Sequence, residues 1–192
     1  MNLVIFGPPG AGKGTQSSFI AKKFNLYQLS TGELLRNEIK NNTNLGKQIS
    51  STINSGNLVS NELVSNLIEK YLSDKTYQNK IIFDGYPRNL IQAQTLNDSL
   101  IKYNQKIHIA LRLTVSLDTI IKRIKERSAI EKRDDDSEEI AIKRYETYEK
   151  NIKPVIDFYN QSNLLKVVDG ESSIIEINNE ISALIESIKG WL

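Results

Sequence analysis

Gly7-Pro8-Pro9-Gly10-Ala11-Gly12-Lys13-Gly14-Thr15-Gln16 is the stretch on which the reading of this chain turns. Before it, Asn2-Leu3-Val4-Ile5-Phe6 is a short apolar run that stops at glycine. After it, Gln16 to Phe24 has helical spacing, with Phe19 and Ile20 apolar and Lys22 and Lys23 on the polar side. Buried strand, glycine loop and helix form the context in which a glycine pattern becomes a phosphate site. Glycines let successive backbone N–H groups turn inward as a nest. The first helical turn adds unpaired N–H groups at the positive end of its dipole, and Lys13 adds a point charge for the outer phosphates. The strict pattern places Ser or Thr directly after the lysine, as a magnesium ligand. Here Gly14 stands there, so Thr15 either reaches Mg²⁺ through water or touches phosphate. The competing reading, an ordinary strand-to-helix turn with a surface lysine, is opposed by the flanks and by the position of the motif.

The 192 residues suffice for one well-buried domain with small insertions. A net charge of +2 gives no global field that would favour nucleic acid or a membrane surface, and Asp134-Asp135-Asp136 is too short for an acidic tail. There is no cysteine, which excludes disulfides and thiolate zinc sites and fits a reducing compartment. The chain is expected to open directly on a strand with no signal peptide, and no apolar run approaches the ~18 residues of a membrane span. The expectation is therefore a soluble, cytoplasmic protein. No internal repeat stands out, and the many Asn, Ile and Lys residues read as compositional drift.

Outward from the loop, short apolar runs recur with helical stretches between them: Asn2–Phe6, Leu26–Leu29, Lys80–Phe83, Ile107–Leu113 and Leu164–Val168. The alternation predicts a three-layer α/β fold of the P-loop kind, a five-stranded parallel sheet with helices on both faces and right-handed crossovers. Ligands of such sheets bind beyond the carboxyl ends of the strands, and Gly7, Thr31, Asp84 and Asp169 each fall just after a predicted strand. Ser30-Thr31-Gly32-Glu33 opens a helix in capping-box fashion. Asn41 to Asn44 breaks it, and a second short helix near Leu45–Ser55 stops at Gly56. Residues 30–59, polar and without a strand pattern, read as a small helical insertion, followed by an amphipathic stretch from Ser60 to Leu72.

Ser116 caps a helix whose stripe is Leu117, Ile120, Ile121 and Ile124, with Arg123 and Arg127 on one edge. Adjacent cations cost energy unless an anion joins them; a solvated basic edge is the equal alternative. Ser128 to Asp136 reads as an exposed loop. From Glu138 the chain is helical again, with Tyr145, Tyr148 and Ile152 inward and Pro154 kinking or restarting the helix. Ser173-Ile174-Ile175-Glu176 is a capping box for a last helix.

Taken together with Leu29-Ser30-Thr31-Gly32-Glu33-Leu34-Leu35-Arg36 and Phe83-Asp84-Gly85-Tyr86-Pro87-Arg88, the loop resembles the adenylate kinases. The resemblance covers the whole chain, with every block in the family's order. A lone phosphate loop would be weak evidence, whereas three blocks in register are strong. The resemblance implies reversible phosphoryl transfer from ATP·Mg²⁺ to AMP giving two ADP, with nucleotides as the partners, neither nucleic acid nor membrane, and a monomer. By position it implies that Gly10, Ala11, Gly12, Lys13, Gly14 and Thr15 wrap the ATP phosphates and that the backbone near Ser172 meets the ATP base. Thr31 and Arg36 would hold AMP, Asn57, Leu58 and Val59 would touch its base, Gly85, Tyr86, Pro87 and Arg88 would clamp it, and Gln92 would read the adenine. Arg123 and Arg127 would lie over the ATP phosphates, Arg133 and Arg144 would bridge to AMP, and Asp84 would order waters on magnesium. The implied division is a core of 1–29, 60–125 and 137–192, an NMP-binding insertion of 30–59, and a short lid loop of 126–136. Longer members carry a small sheet there, sometimes with zinc ligands; without cysteine, zinc is excluded here.

The chemistry suits these residue types. The phosphate oxygen of AMP is already a nucleophile at neutral pH, so no general base is required, and His108, inside a predicted strand, reads as structural. The barrier lies in bringing two polyanions together and stabilising charge on the transferred group. Lys13, Arg36, Arg88, Arg123, Arg127, Arg133 and Arg144 supply seven cations, of which Lys13, Arg88, Arg123, Arg127, Arg133 and Arg144 are expected to be catalytic. Arginine's planar fork binds two phosphate oxygens at once. Asp135 and Asp136 are expected to orient Arg133 or its neighbours, and the short lid to close by ordering of the Ser128–Asp136 loop. A UMP/CMP kinase is the nearest rival. Thr31 and Gln92 favour adenine, while Asn89 leans toward a pyrimidine. A non-catalytic nucleotide-binding regulator would not need the arginines together, and a shikimate- or gluconate-type kinase would leave the AMP-side blocks unexplained.

Overall fold

Leu3, Val4, Ile5 and Phe6 are apolar without alternation, which suits a strand buried on both faces. In the computed structural model, which describes residues 1–131 and 136–189, they form β1 (Asn2–Phe6) at the centre of a five-stranded sheet. Its neighbours are β3 (Ile81–Asp84) and β4 (Ile107–Thr114), with β2 (Tyr27–Ser30) and β5 (Leu165–Asp169) at the edges, in the order β2-β3-β1-β4-β5. Every pairing is parallel, and Ile5 and Ser30 both register with Asp84. The later strands run about a residue further than the apolar runs suggest, because the ladder continues through the polar residues Ser30, Asp84, Thr114 and Asp169.

The two-residue period of the strands sorts the core. Val4, Phe6, Leu29, Phe83 and Ala110 face α4 (Asn61–Leu72), α5 (Leu90–Lys102) and α7 (Glu138–Gln161). Leu3, Ile5, Ile82, Leu111 and Val168 face α1 (Lys13–Phe24) and α8 (Ile174–Lys189). The three-layer architecture follows. The capping box that opens α8 forms in full, with Ser173 N–H donating to Glu176 at 2.9 Å and Glu176 N–H to Ser173 at 3.3 Å. Among the described residues, no helix is long and apolar enough to cross a membrane.

Some expectations are corrected. α6 (Leu117–Glu131) continues through 128–131, so the first half of the 126–136 segment is helix; Ile120 and Ile124 anchor it on Ala141 of α7. Asp136 is buried, not part of an exposed loop. Pro154 lies inside α7 without ending it, since that helix is pinned by Ile152, Val155 and Tyr159, all buried against the sheet. Phe19 is exposed, and Ile20 alone of that pair enters the core.

Of residues 30–59, Ser30 still belongs to β2, and the rest form two helices, α2 (Thr31–Lys40) and α3 (Asn44–Asn54). Thr43 joins them. Its hydroxyl accepts from the Gly46 N–H at 2.9 Å, and its N–H donates to the Glu38 carbonyl at 3.2 Å. At Gly46 the two backbones nearly touch; a Cβ there would overlap the Glu38 carbonyl and stand 2.7 Å from the Ile39 nitrogen. Gly46→Ala is therefore expected to force the helices apart at a cost of about 3 kcal/mol, the upper end for overpacking, read as a lower urea midpoint. A midpoint equal to that of the parent would show that the contact is not tight.

Candidate active site

The carboxyl ends of the strands open on one side of the sheet, and the glycine loop leaves the central strand there. Gly10 and Gly12 take φ of 78° and 87°, a region that side chains rarely adopt. Nothing lies within 4 Å of where a Gly12 Cβ would stand, so the demand at that position is conformational, not steric. α1 begins at Lys13, and its cap residue Gly12 offers no side chain to its first-turn N–H groups, the arrangement that accepts an outside anion.

Lys13 folds back over this loop and donates to the carbonyls of Gly7 and Pro8, each at 2.8 Å. Burial holds its ammonium down to about 7 from the usual 10.5; Asp84 opposes that shift, and Arg88, Arg144 and Arg127 add to it. Asp84, at the end of β3, is pushed up by its own burial and pulled back by Lys13 and by a hydrogen bond from Gln28. That bond, Gln28 Nε2 to Oδ2, measures 2.9 Å, and the same amide reaches the Gly14 carbonyl at 3.4 Å.

Arg36, on α2, and Arg88, after β3, bring their guanidinium groups against Gly32, at 3.2 and 3.7 Å from the position of a Cβ on that residue. Arg88 Nε donates to the Gly85 carbonyl at 2.7 Å, and Thr31 donates to the same oxygen at 3.2 Å. Arg123 donates to the Gly170 carbonyl at 2.9 Å. Arg127 forms a two-pronged pair with Asp136, whose side chain is fully buried, with Nε to Oδ2 at 2.8 Å. Asp136 thus serves Arg127. Arg133 and Asp135 lie outside the described residues. Arg144, on α7, packs its stem on Gly56 at the end of the α3 turn.

These groups bound two connected spaces. The inner recess is lined by Thr31, Leu35, Asn57, Leu58, Val59, Val64, Gly85, Tyr86, Pro87 and Gln92. The outer cleft is lined by Gly10 through Gln16, Gln28, Asp84, Arg123, Arg127, Ile130 and Ile174. Lys13, Arg36, Arg88 and Arg144 line both, and so form the wall the two spaces share. Ser172 sits in the turn between β5 and α8 and lines neither, although Ile174, two residues on, does.

Two further side chains support the site without having been singled out in the sequence: Gln28 steadies Asp84, and Asn61, at the start of α4, accepts from both Asn89 and Gln92. Asp136, expected to orient Arg133 or its neighbours, steadies Arg127. Each acts across the fold, and only the nine-residue gap from Arg127 to Asp136 is short enough to suggest a pair in the sequence. His108 lies at the opposite end of the sheet, where its Nδ1 accepts from the Asn2 N–H at 3.1 Å.

The chain matches the family model described as adenylate kinase over residues 5–164. It is 42% identical to the adenylate kinase of Pelagibacter ubique, across 97% of this chain and 100% of the relative. It is 35% identical to that of Archaeoglobus fulgidus, across 98% and 100%, and 38% identical to that of Porphyromonas gingivalis, across 98% and 97%. The first alignment runs to 212 positions, more than this chain has residues, so that relative carries residues absent here; the third runs to 189.

The depressed Lys13 has a measurable consequence. Between pH 7 and 10.5 the unfolded chain holds this proton and the folded chain does not, so this group makes the fold more stable as pH rises through that window. A polyphosphate beside Lys13 favours the ammonium and restores the proton. Calorimetry of ATP·Mg²⁺ binding in buffers of different ionisation enthalpy should show close to one proton taken up at pH 8.5, and none in Lys13→Met. Equal uptake by both proteins would rule Lys13 out as the source. Asp136→Asn, of the same size, should lower stability by about 3 kcal/mol by leaving Arg127 without its buried anion; an unchanged unfolding midpoint would contradict this.

Proposed function

The chain belongs to the adenylate kinase family, and on that premise we propose that it transfers the terminal phosphoryl group of ATP reversibly to AMP, giving two ADP. It is a phosphotransferase of the nucleoside monophosphate kinase class. One observation carries the assignment of roles: Lys13, Arg36, Arg88 and Arg144 line both the inner recess and the outer cleft. Cations common to two anion sites are what an in-line transfer between two phosphates needs, because the moving group sits between donor and acceptor oxygens and its charge spreads as bonds loosen.

The outer cleft is read as the ATP side. Gly10, Gly12, Gly14 and Thr15 are assigned to offer backbone N–H groups to phosphate; Ala11 belongs to the same loop, its own N–H closing the turn on the Pro8 carbonyl at 3.2 Å. Arg123 and Arg127 cover the phosphates, and the backbone near Ser172 is assigned to the base. The inner recess is read as the AMP side, with Thr31 and Arg36 at the phosphate end, Asn57, Leu58, Val59, Tyr86 and Pro87 around the nucleoside, and Gln92 at the base. Arg133 is assigned to the bridge between the two from its sequence position alone. No side chain is asked to remove a proton, since the attacking oxygen is anionic at neutral pH.

Magnesium enters with ATP. Asp84 is the carboxylate lining the outer cleft beside the glycine loop, 3.7 Å from where a Gly14 Cβ would stand. Among the described residues no cluster of His, Cys, Asp or Glu could hold a metal alone. One carboxylate and the Thr15 hydroxyl fit an ion that keeps most of its waters and takes its other ligands from phosphate. Bound there, it would neutralise phosphate charge.

Asn89, whose identity leaned toward a pyrimidine substrate, caps α5 by accepting from the Gln92 N–H at 2.9 Å. That role explains the asparagine without reference to the base, and the UMP/CMP alternative is not favoured. A cytoplasmic monomer is the proposed working form, supported by the absence of cysteine and the small net charge. The division into core, 30–59 insertion and 126–136 lid is proposed with it, the lid being helical as far as Glu131.

ADP formation from ATP and AMP should require Mg²⁺ and exceed phosphorylation of UMP, CMP or GMP. Arg88→Ala should lose about a hundredfold or more in kcat while keeping its melting temperature. Faster turnover of UMP would overturn the choice of substrate, and full activity in Arg88→Ala would overturn the roles.

A further inference from the structure

We propose that Asn61 is a positioning residue that fixes which way the Gln92 amide faces, and thereby makes the acceptor site prefer a 6-aminopurine to a 6-oxopurine. The proposal rests on the reading of Gln92 as a contact to the acceptor base.

Gln92 is buried and lines the inner recess. Its Oε1 accepts from the Arg88 backbone N–H at 2.8 Å, and its Nε2 donates to Asn61 Oδ1 at 3.0 Å. The same Asn61 oxygen accepts from Asn89 Nδ2 at 2.9 Å, and Asn89 Oδ1 accepts from the Gln92 backbone N–H at 2.9 Å. Both ends of this relay are backbone N–H groups, which can only donate. The Arg88 N–H therefore demands an oxygen from Gln92. The Gln92 N–H demands an oxygen from Asn89, which turns the Asn89 nitrogen toward Asn61. The Asn61 atom between the two amides must then be an acceptor, and Gln92 must meet it with nitrogen. Starting from opposite ends, the two deductions give one orientation.

Turning the Gln92 amide over would set nitrogen against the Arg88 N–H and oxygen against Asn61 oxygen, losing both bonds in a buried place. In the held orientation these bonds leave one hydrogen on Nε2 and one lone pair on Oε1. A 6-aminopurine edge presents an amino donor beside a ring-nitrogen acceptor, which matches that pair. A 6-oxopurine presents the reverse order, and a site built for one pattern leaves buried groups unpaired with the other.

The test compares kcat/KM for AMP and IMP in the parent, Asn61→Ala, Asn61→Asp and Gln92→Leu. Asn61→Ala should reduce the AMP-to-IMP ratio roughly fivefold or more, through KM for the monophosphate, with KM for ATP unmoved. Asn61→Asp keeps an acceptor for both amides and should retain the ratio. A purely structural role would weaken AMP and IMP alike. Should Asn61→Ala melt early, Asn61→Ser, too short to reach Gln92, replaces it. An unchanged ratio in the Asn61 variant, with a collapsed ratio in Gln92→Leu, would overturn the positioning role and leave the base contact standing. An unchanged ratio in Gln92→Leu would remove the base contact and the proposal together.

Discussion

Positive charge gathered in the half-buried wall of a cleft is the constraint on which the rest of this structure depends. Desolvation lowers the affinity of Lys13 for a proton most; Asp84 opposes it, and Arg88, Arg144 and Arg127 each lower it further. Such a cluster works against folding, because each cation loses water and gains a like-charged neighbour. Its counterpart is affinity for a polyanion, which neutralises several of these charges at once in a medium of low dielectric.

The fold holds the cluster with a repeated device. Lys13 is tied to the carbonyls of Gly7 and Pro8, Arg88 to that of Gly85, and Arg123 to that of Gly170. Gly7, Gly85 and Gly170 directly follow β1, β3 and β5. Parallel strands end together, so their next carbonyls gather on one rim. Each offers partial negative charge to a cation without a carboxylate that would compete with phosphate, Lys13 and Arg88 from a few residues on and Arg123 from 47 residues away. Two carboxylates stand beside the cluster: Asp136 grips Arg127, and Asp84 acts on Lys13 with its charge moderated by burial and shared with Gln28.

What could be read in the sequence follows from how local each signal is. The strands, the glycine loop and the caps at Ser30, Ser116 and Ser173 are set within a few residues, and they appear where the pattern puts them to within about a residue. The reach of α6 and the passage of α7 through Pro154 were not legible, because packing on other elements decides both. The asparagines taken for compositional drift have a use. Among the described residues every non-glycine with positive φ is asparagine, at Asn25, Asn42, Asn79, Asn104 and Asn163, and asparagine tolerates the left-handed region that ends helices and turns. Within the site, the cations could be named from motif blocks, whereas Gln28 and Asn61 could not, because their partners lie 56 and 31 residues away.

The shared wall also explains why the cations come from elements of different kinds. Lys13 and Arg88 stand at sheet ends, on supports whose strands are wholly buried. Arg36 rides on α2 and Arg144 on α7, and Arg144 lies against Gly56 at the foot of α3. An anion that engages Arg36 and Arg88 together therefore ties α2 to the sheet, and one that also engages Arg144 draws the α3 turn into the same grip. On the proposed roles, acceptor binding and enclosure of the acceptor would be a single electrostatic event. It would use the same charges assigned to the transferred group, and it would displace water that competes for that group.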